Sequence, residues 1–319
     1  MGIFQDIREA AAQVASTSKW VTLDRGALEV LADALAAAPV EAPGDDPAHH
    51  RRENEGATLA FVLLLDAVNF GSGWFPHLQK RPGHSGYFTI AASLSDHFDR
   101  EGVMDCARLA EIRGEDCAHI FGQPRDRAPV SELMDLFAQA WRDLAGLVGA
   151  RFDGSFAALV EAADHRAEAL VEILASMPLY RDVERYGTLE VPFYKRAQIT
   201  CADLALAFAG SGFGHFEDLD ELTLFADNLV PHVLRREGVL VYRPDLLARI
   251  DAEEEIALGS PEEVEIRAVA VHAVECLSRA MAERGRPAPP RSLDGLLWHR
   301  GQSAHMKAEP RHRTRCAYY

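Results

Sequence analysis

A chain of 319 residues, 48% of them hydrophobic, can bury a large core, either as one big domain or as two ordinary ones. Its 33 Lys and Arg against 49 Asp and Glu leave a formal net charge of -16, a field that repels polyanions and argues against a broad nucleic-acid-binding face. Five scattered cysteines without a CxxC pair argue against a disulfide framework or a zinc ribbon. Asp6 and Glu9 interrupt any export signal at the start, and the apolar run Leu59 to Leu65 falls far short of the roughly 20 residues of a bilayer crossing, so a cytoplasmic protein without a membrane span is expected.

Helical periodicity dominates the chain. Leu28, Leu31 and Leu35 mark a first amphipathic stretch, and a Pro-, Gly- and charge-rich loop from Ala38 to Asn54, carrying the adjacent His49 and His50, separates it from the next. Aromatics then collect beside turn glycines: Phe70 and Trp74 near Gly71 and Gly73, and Tyr87 and Phe88 beside Gly86, at the end of a second loop from Phe75. Flat side chains in such places suit stacking on a planar base, or simply a core. Further helices are predicted through Leu133, Phe137, Trp141 and Leu144, and from Phe156, Leu159 and Ala162 on to Leu170 and Ile173. Only Thr188–Tyr194 and Val239–Tyr242 alternate as strands do, short enough for a hairpin or an edge pair.

Lys195 and Arg196 stand where a short extended segment meets a helix, so they either hold a phosphate beside helix-start amides or form a solvated face. Asp220 to Glu237 reads as one core-packed helix, with Asp220 as its cap and Leu222, Phe225, Leu229 and Val233 on one face. Pro231 then falls in the helix interior and removes the bond to the carbonyl of Asp227. That leaves a carboxylate beside a helix break, unless Asp227 is merely a solvated residue of the polar face. A further helix opens at Ser260, with Pro261 in its first turn and Glu263 completing a capping box. Its body, Ala268 to Val274, is apolar nearly all round, so Glu265, Arg267, His272 and Glu275 must be paired, as in an internal salt bridge of Arg267, or must face a cavity. After a Pro-rich interruption at Arg286 to Pro290, the chain closes on HRTRCAYY, an aromatic ending that predicts docking on the fold and brings cations with it. One mainly helical domain over residues 1–319, with a few short strands, accounts for these signals; an N-terminal subdomain over about 1–150 is compatible with it.

No phosphate loop, GxSxG elbow or HExxH motif occurs, and Gly210 to Gly214 follows a helical pattern rather than the strand a dinucleotide site needs. The thirteen histidines show no metal spacing, so a required metal is not expected.

Eight blocks remain, in order along nearly the whole chain: LLLDAVNFGSGW (Leu63 to Trp74), HSGYF (His84 to Phe88), PLYRDV (Pro178 to Val183), FYKRAQI (Phe193 to Ile199), LTLFADNLVPHVL (Leu222 to Leu234), EVEIRA (Glu263 to Ala268), LDGLLW (Leu293 to Trp298) and HRTRCAYY (His312 to Tyr319). Together they resemble the queuosine salvage protein family, described as queuosine 5'-phosphate N-glycosidases. The resemblance implies a helical fold similar to the core of helix-hairpin-helix DNA glycosylases, and hydrolysis of queuosine 5'-phosphate to queuine and ribose 5-phosphate without a cofactor. The family's catalytic aspartate falls on Asp227. Asn228 stands where relatives commonly carry an aromatic, and Gly71, Ser72 and Gly73 replace bulk, while a histidine that precedes this block corresponds to His49 or His50.

The chemistry so implied assigns further roles. Asp294 is the candidate for the guanine-like edge of the base, and Glu265 or a neighbouring acid for its secondary ammonium group. Phe70, Trp74 and Tyr87 would enclose the ring, with Lys195, Arg196 or Arg315 on the 5'-phosphate, and Asn228, Trp298 and His312 as further contacts. The partners expected are this nucleotide and its base, with no stable nucleic-acid partner, on a monomer. Two rival readings stand beside this one: a glycosylase acting on polymeric nucleic acid, and a non-catalytic queuine carrier in which Asp227 pairs with the ammonium group.

Overall fold

The computed structural model describes residues 2–38 and 52–319, so His49 and His50 lie outside the described residues. In chain order the elements are α1 (Ile3–Thr17), β1 (Val21–Leu23), α2 (Arg25–Ala37), α3 (Glu55–Ala67), α4 (Gly86–Glu101), α5 (Cys106–Ala110), α6 (Gly114–Phe121), α7 (Ala128–Arg151), α8 (Phe156–Glu161), α9 (Ala167–Leu174), β2 (Val183–Tyr186), β3 (Leu189–Pro192), α10 (Lys195–Ala207), α11 (Leu229–Arg236), β4 (Leu240–Tyr242), α12 (Pro244–Asp251), α13 (Pro261–Glu283), α14 (Pro290–Gly301) and α15 (Ala304–Lys307). The fold is mainly helical, with two short antiparallel strand pairs. Among the described residues, no helix is long and apolar enough to cross a membrane.

The chain divides into two compact units, each drawing on separate stretches of sequence. The first comprises Met1–Asp45, Asp182–Lys195 and Asp220–Arg315. Its spine is α13, against which α1, α2, β1, α11 and α14 pack. The start of α13 is as its sequence requires: Ser260 Oγ accepts the Glu263 amide at 3.3 Å and Pro261 occupies the first turn. The Glu263 carboxylate reaches the Gly259 amide at 3.3 Å, one residue before the cap. From Glu263 to Val271 every residue of this helix is buried, and its charges are satisfied inside the unit. Glu265 accepts the amides of Lys19, Trp20 and Val21 at 2.9, 2.6 and 3.0 Å and the Tyr186 hydroxyl at 2.7 Å, fixing the turn between α1 and β1. Arg267 forms the internal salt bridge, donating to both Asp182 oxygens at 2.9 and 2.6 Å beneath the Phe193 ring.

Each of the two strands read from sequence finds a partner that sequence did not show. Leu189–Pro192 pairs with Val183–Tyr186 as a hairpin turning at Gly187, where φ is 62°. Leu240–Tyr242 pairs with Val21–Leu23 from the start of the chain, Val21 opposite Tyr242. The single helix expected from Asp220 to Glu237 is not formed. Leu219–Glu221 is one 3-10 turn, Leu222 to Ala226 run through the core without helical structure, and α11 begins only at Leu229. Asp220 therefore caps nothing there; its carboxylate accepts from Arg291 at 2.7 Å. Pro231 lies in the first turn of α11, where a missing amide hydrogen removes no helical bond, so no helix break exists at this point.

The second unit comprises Asp46–Arg181, Arg196–Leu219 and Cys316–Tyr319. Here α3, buried from Thr58 to Ala67, packs against α4, α7 and α8, and Trp141 Nε1 donates to the Leu64 carbonyl at 2.9 Å. The helix predicted from Phe156 to Ile173 splits into α8 and α9, because Asp164 and His165 adopt φ of 47° and 59° between them. The Asp218 carboxylate takes the first amides of α9, those of Ala167 and Glu168, at 2.6 and 3.1 Å. The aromatic ending docks as expected: Tyr319 is buried, and its carbonyl oxygen accepts the Gly71 amide at 3.0 Å. Gly71 has φ of 106°, and a Cβ there would come within 2.7 Å of Leu133, so glycine is required.

Candidate active site

The site is built on the irregular segment between Leu222 and the start of α11. Of the residues from Leu222 to Leu234, all are buried except Asp227, which is part-exposed. Its Oδ1 accepts the amides of Leu229 at 2.7 Å and Val230 at 3.2 Å. Asp227 thus supplies the capping oxygen that Asn228, the residue next to the helix, does not. Among the described residues no hydrogen bond engages Oδ2.

Side chains from two other elements and a backbone carbonyl from the C-terminal segment hold this segment still. Asp294 of α14 accepts the Phe225 amide at 3.2 Å, Arg267 of α13 donates through Nε to the Ala226 carbonyl at 3.0 Å, and Asn228 Nδ2 donates to the His312 carbonyl at 3.4 Å. Each residue from Phe225 to Asn228 is therefore tied by at least one polar contact, and the carboxylate at its centre is preorganised rather than free to swing. Behind it, burial and then the nearby Arg267 and Arg311 push the His312 ring down to about 3, so it is neutral at ordinary pH. Burial holds His232 down at about 4, its Nε2 donating to the Met306 carbonyl at 2.7 Å.

The structure brings Asp227, Asn228, Asp294 and His312 together in the first unit. Trp298 is half-buried on α14, its ring edge-on to His299, and Arg315 faces Glu255 at 3.5 Å. Lys195 is buried, and its amide donates to Asp182 at 3.1 Å. In the second unit, Phe70 and Trp74 are buried: Phe70 meets Phe137 edge to face at 5.1 Å, and Trp74 Nε1 donates to Glu132 at 3.0 Å. Tyr87 is half-buried beside Phe88. Arg196 lies between the Phe70 and Tyr180 rings at 4.6 and 4.3 Å and donates to the carbonyls of Ala67 and Leu179. That is the setting of a guanidinium with a packing duty.

Sequence reasoning did not assign a role to Asp182 or to Arg311. The first sits inside the PLYRDV block and anchors Arg267; only its place beside a buried arginine reveals it. The second is Asp227's electrostatic neighbour. Among the described residues, no group of three or more His, Cys, Asp or Glu is placed to hold a metal ion.

Fold and site together define a mainly helical protein that presents one fixed carboxylate from an otherwise buried helix start. The pattern of the queuosine salvage protein family matches residues 48–319, and the chain belongs to that family. It is 40% identical over 313 residues to a queuosine 5'-phosphate N-glycosylase/hydrolase of Sphaerobacter thermophilus, covering 96% of this chain and 95% of that one. A mouse protein of the same description is 31% identical over 334 residues, covering 98% of each chain, and one from Dictyostelium discoideum is 32% identical over 264 residues, covering 82% and 78%.

Proposed function

We propose that this chain hydrolyses the N-glycosidic bond of queuosine 5'-phosphate, releasing queuine and ribose 5-phosphate so that the base is salvaged for tRNA. It does so as a single mainly helical domain whose core is akin to that of helix-hairpin-helix DNA glycosylases, as a cytoplasmic monomer, and without a metal or organic cofactor. Membership of the family and the full-length similarity to proteins so described support the reaction. The observation that carries the site is the exposure of Asp227 alone within a buried run, with one oxygen bound to helix-start amides.

Cleavage sends the bonding electron pair to the departing base and builds positive charge on the ribose. Asp227 Oδ2 faces that charge while Oδ1 stays on its amides, and water adds hydroxide to the anomeric carbon as its proton passes, through Asp227, toward the base. A fixed charge of this kind contributes on the order of 10²–10³ in rate. The base is a 7-deazapurine, so the ring position that other purine glycosylases protonate is carbon and the leaving group takes its proton elsewhere. Asp294 accepts hydrogen bonds from the amide and amine edge, with Asn228, Trp298 and His312 beside it.

The test is direct: purified protein is mixed with queuosine 5'-phosphate and free base is measured by mass spectrometry. Release of queuine with ribose 5-phosphate supports the reading. Binding without release would make the protein a carrier, and release only from intact tRNA would make it a glycosylase of polymeric nucleic acid.

A further inference from the structure

A cleft of about 300 Å³ opens in the second unit where α4 and α6 pack together, with the short α5 at its rim. None of its residues belongs to the candidate active site. Its floor is His97 of α4 with Ile112 and Ile120, all buried. His97 is only 4% exposed, and its Nε2 has no hydrogen-bond partner among the described residues. A buried ring nitrogen left unmatched costs stability until a bound molecule completes it. Burial, and then Arg108, pushes the pKa of this ring down, so near neutral pH it is uncharged and carries one donor and one acceptor. The rim is charged and exposed: Arg108 and His119 bring donors, and Glu111 and Asp116 bring two carboxylates. Among the described residues, the Arg108 guanidinium and the Glu111 carboxylate form neither a hydrogen bond nor an ion pair. Neighbouring arginines are spent, Arg125 on Glu115 and Asp135 at 3.1 and 3.0 Å, and Arg142 on the Ile112 carbonyl at 2.6 Å.

Two histidines and two acids line this cleft, yet among the described residues no three such groups converge as metal ligands do. A polyanion would meet the two carboxylates, and a polyamine would meet the guanidinium. A molecule with one charge of each sign satisfies both, and the aliphatic floor has room for a hydrocarbon side chain. The volume equals that of about ten water molecules in the liquid, so the molecule is small. We infer that the cleft binds a zwitterionic α-amino acid with an aliphatic side chain. Its carboxylate lies on Arg108, its ammonium group on Glu111 and Asp116, and its side chain against Ile112 and Ile120, while one of the charged ends completes the His97 ring. Binding here does not depend on the reaction proposed for Asp227.

The experiment titrates L-leucine into the full-length chain by ligand-observed NMR, beside isocaproate, which lacks the ammonium group, and isopentylamine, which lacks the carboxylate. Leucine should bind with a Kd of about 1 mM or below, and each one-ended analogue at least about fivefold more weakly. Arg108→Ala and Glu111→Gln change exposed positions, so both should fold like the parent, and each should weaken leucine at least about fivefold. His97→Leu replaces the unmatched nitrogen with an apolar shape, so it should keep or raise the melting temperature and still lose leucine affinity. A ring with only a packing duty would leave that affinity unchanged. No binding of leucine at about 10 mM, equal affinity for the three probes, or leucine binding that survives both Arg108→Ala and Glu111→Gln would overturn the assignment. The two exposed variants decide the matter if His97→Leu does not fold.

Discussion

Asparagine at position 227 keeps one oxygen able to accept the Leu229 and Val230 amides but removes the charge that is proposed to face the ribose. Asp227→Asn should therefore fold like the parent and bind queuine, with kcat reduced by at least about 10²–10³. Asp227→Ala loses the cap as well, at about 1 kcal/mol, and should melt about 2 °C lower. Steady-state kinetics and thermal melts on the two variants separate the roles; a parent-like kcat in Asp227→Asn would end the assignment. A second carboxylate tests electrostatics away from that chemistry. Glu184 on β2 is pushed up to about 7, first by burial and then by Glu263, with Asp182 adding to the repulsion and Arg267 opposing it. An acid whose folded value lies above its unfolded value binds its proton more tightly when folded, so it costs stability as pH rises from about 4.5 to about 7 and no more beyond that. Glu184→Gln should gain on the parent across that window and hold the gain above it. Because Glu184 is half-exposed, the gain should be about 1 kcal/mol, read as the difference between two denaturation curves at pH 5 and pH 8.

The elements differ in how far local sequence specified them, and α11 and α13 mark the extremes. The start of α13 was legible because Ser260, Pro261 and the amide of Glu263 act within one turn. The start of α11 was not, because Leu222 and Phe225 are buried in an irregular path as readily as on a helical face, and three-residue spacing alone does not distinguish them. What stops the helix short is tertiary: Asp294 and Arg267 take the Phe225 amide and the Ala226 carbonyl that a helix would have used. β1 and β2 escaped notice for a related reason, since three or four residues give little alternation and Val21 finds Tyr242 across most of the chain. The catalytic candidate was visible in the FADNLVP block, but the reason offered for it, a helix break, was not the physical one; its exposure comes from capping. That difference is measurable. If Pro231 interrupted a helix interior, Pro231→Ala would stabilise the protein by about 3 kcal/mol. In the first turn of α11 it should instead be neutral or slightly destabilising, within about 1 kcal/mol, because the only loss is the freedom proline removes from the unfolded chain. Urea denaturation of the single variant decides between the two.

For the whole molecule, acid stability should be governed by buried titrations more than by the formal charge of -16. His312 and His232 are held at about 3 and about 4, chiefly by burial. A base whose folded value is depressed contributes stability that is fully present above the ordinary value of 6.5 and is lost as pH falls toward the folded value, because only the unfolded chain takes up the proton. The loss should begin near pH 6.5 and continue to about 4 for His232 and about 3 for His312, amounting together to a few kcal/mol. Glu184 works the other way, since acid relieves its repulsion as pH falls from about 7 to about 4.5. Down to about pH 5 the relief at Glu184 offsets part of the histidine loss, so the decline should be shallower there and steepen in more acidic solution. Variants expose each component. His232→Gln keeps a donor for the Met306 carbonyl and cannot be protonated, so its melting temperature should fall less than the parent's between pH 6 and pH 4. Glu184→Gln removes the opposing relief, so its decline should start at higher pH than the parent's. Parallel curves for all three proteins from pH 8 to pH 4 would show that these buried groups do not govern acid stability.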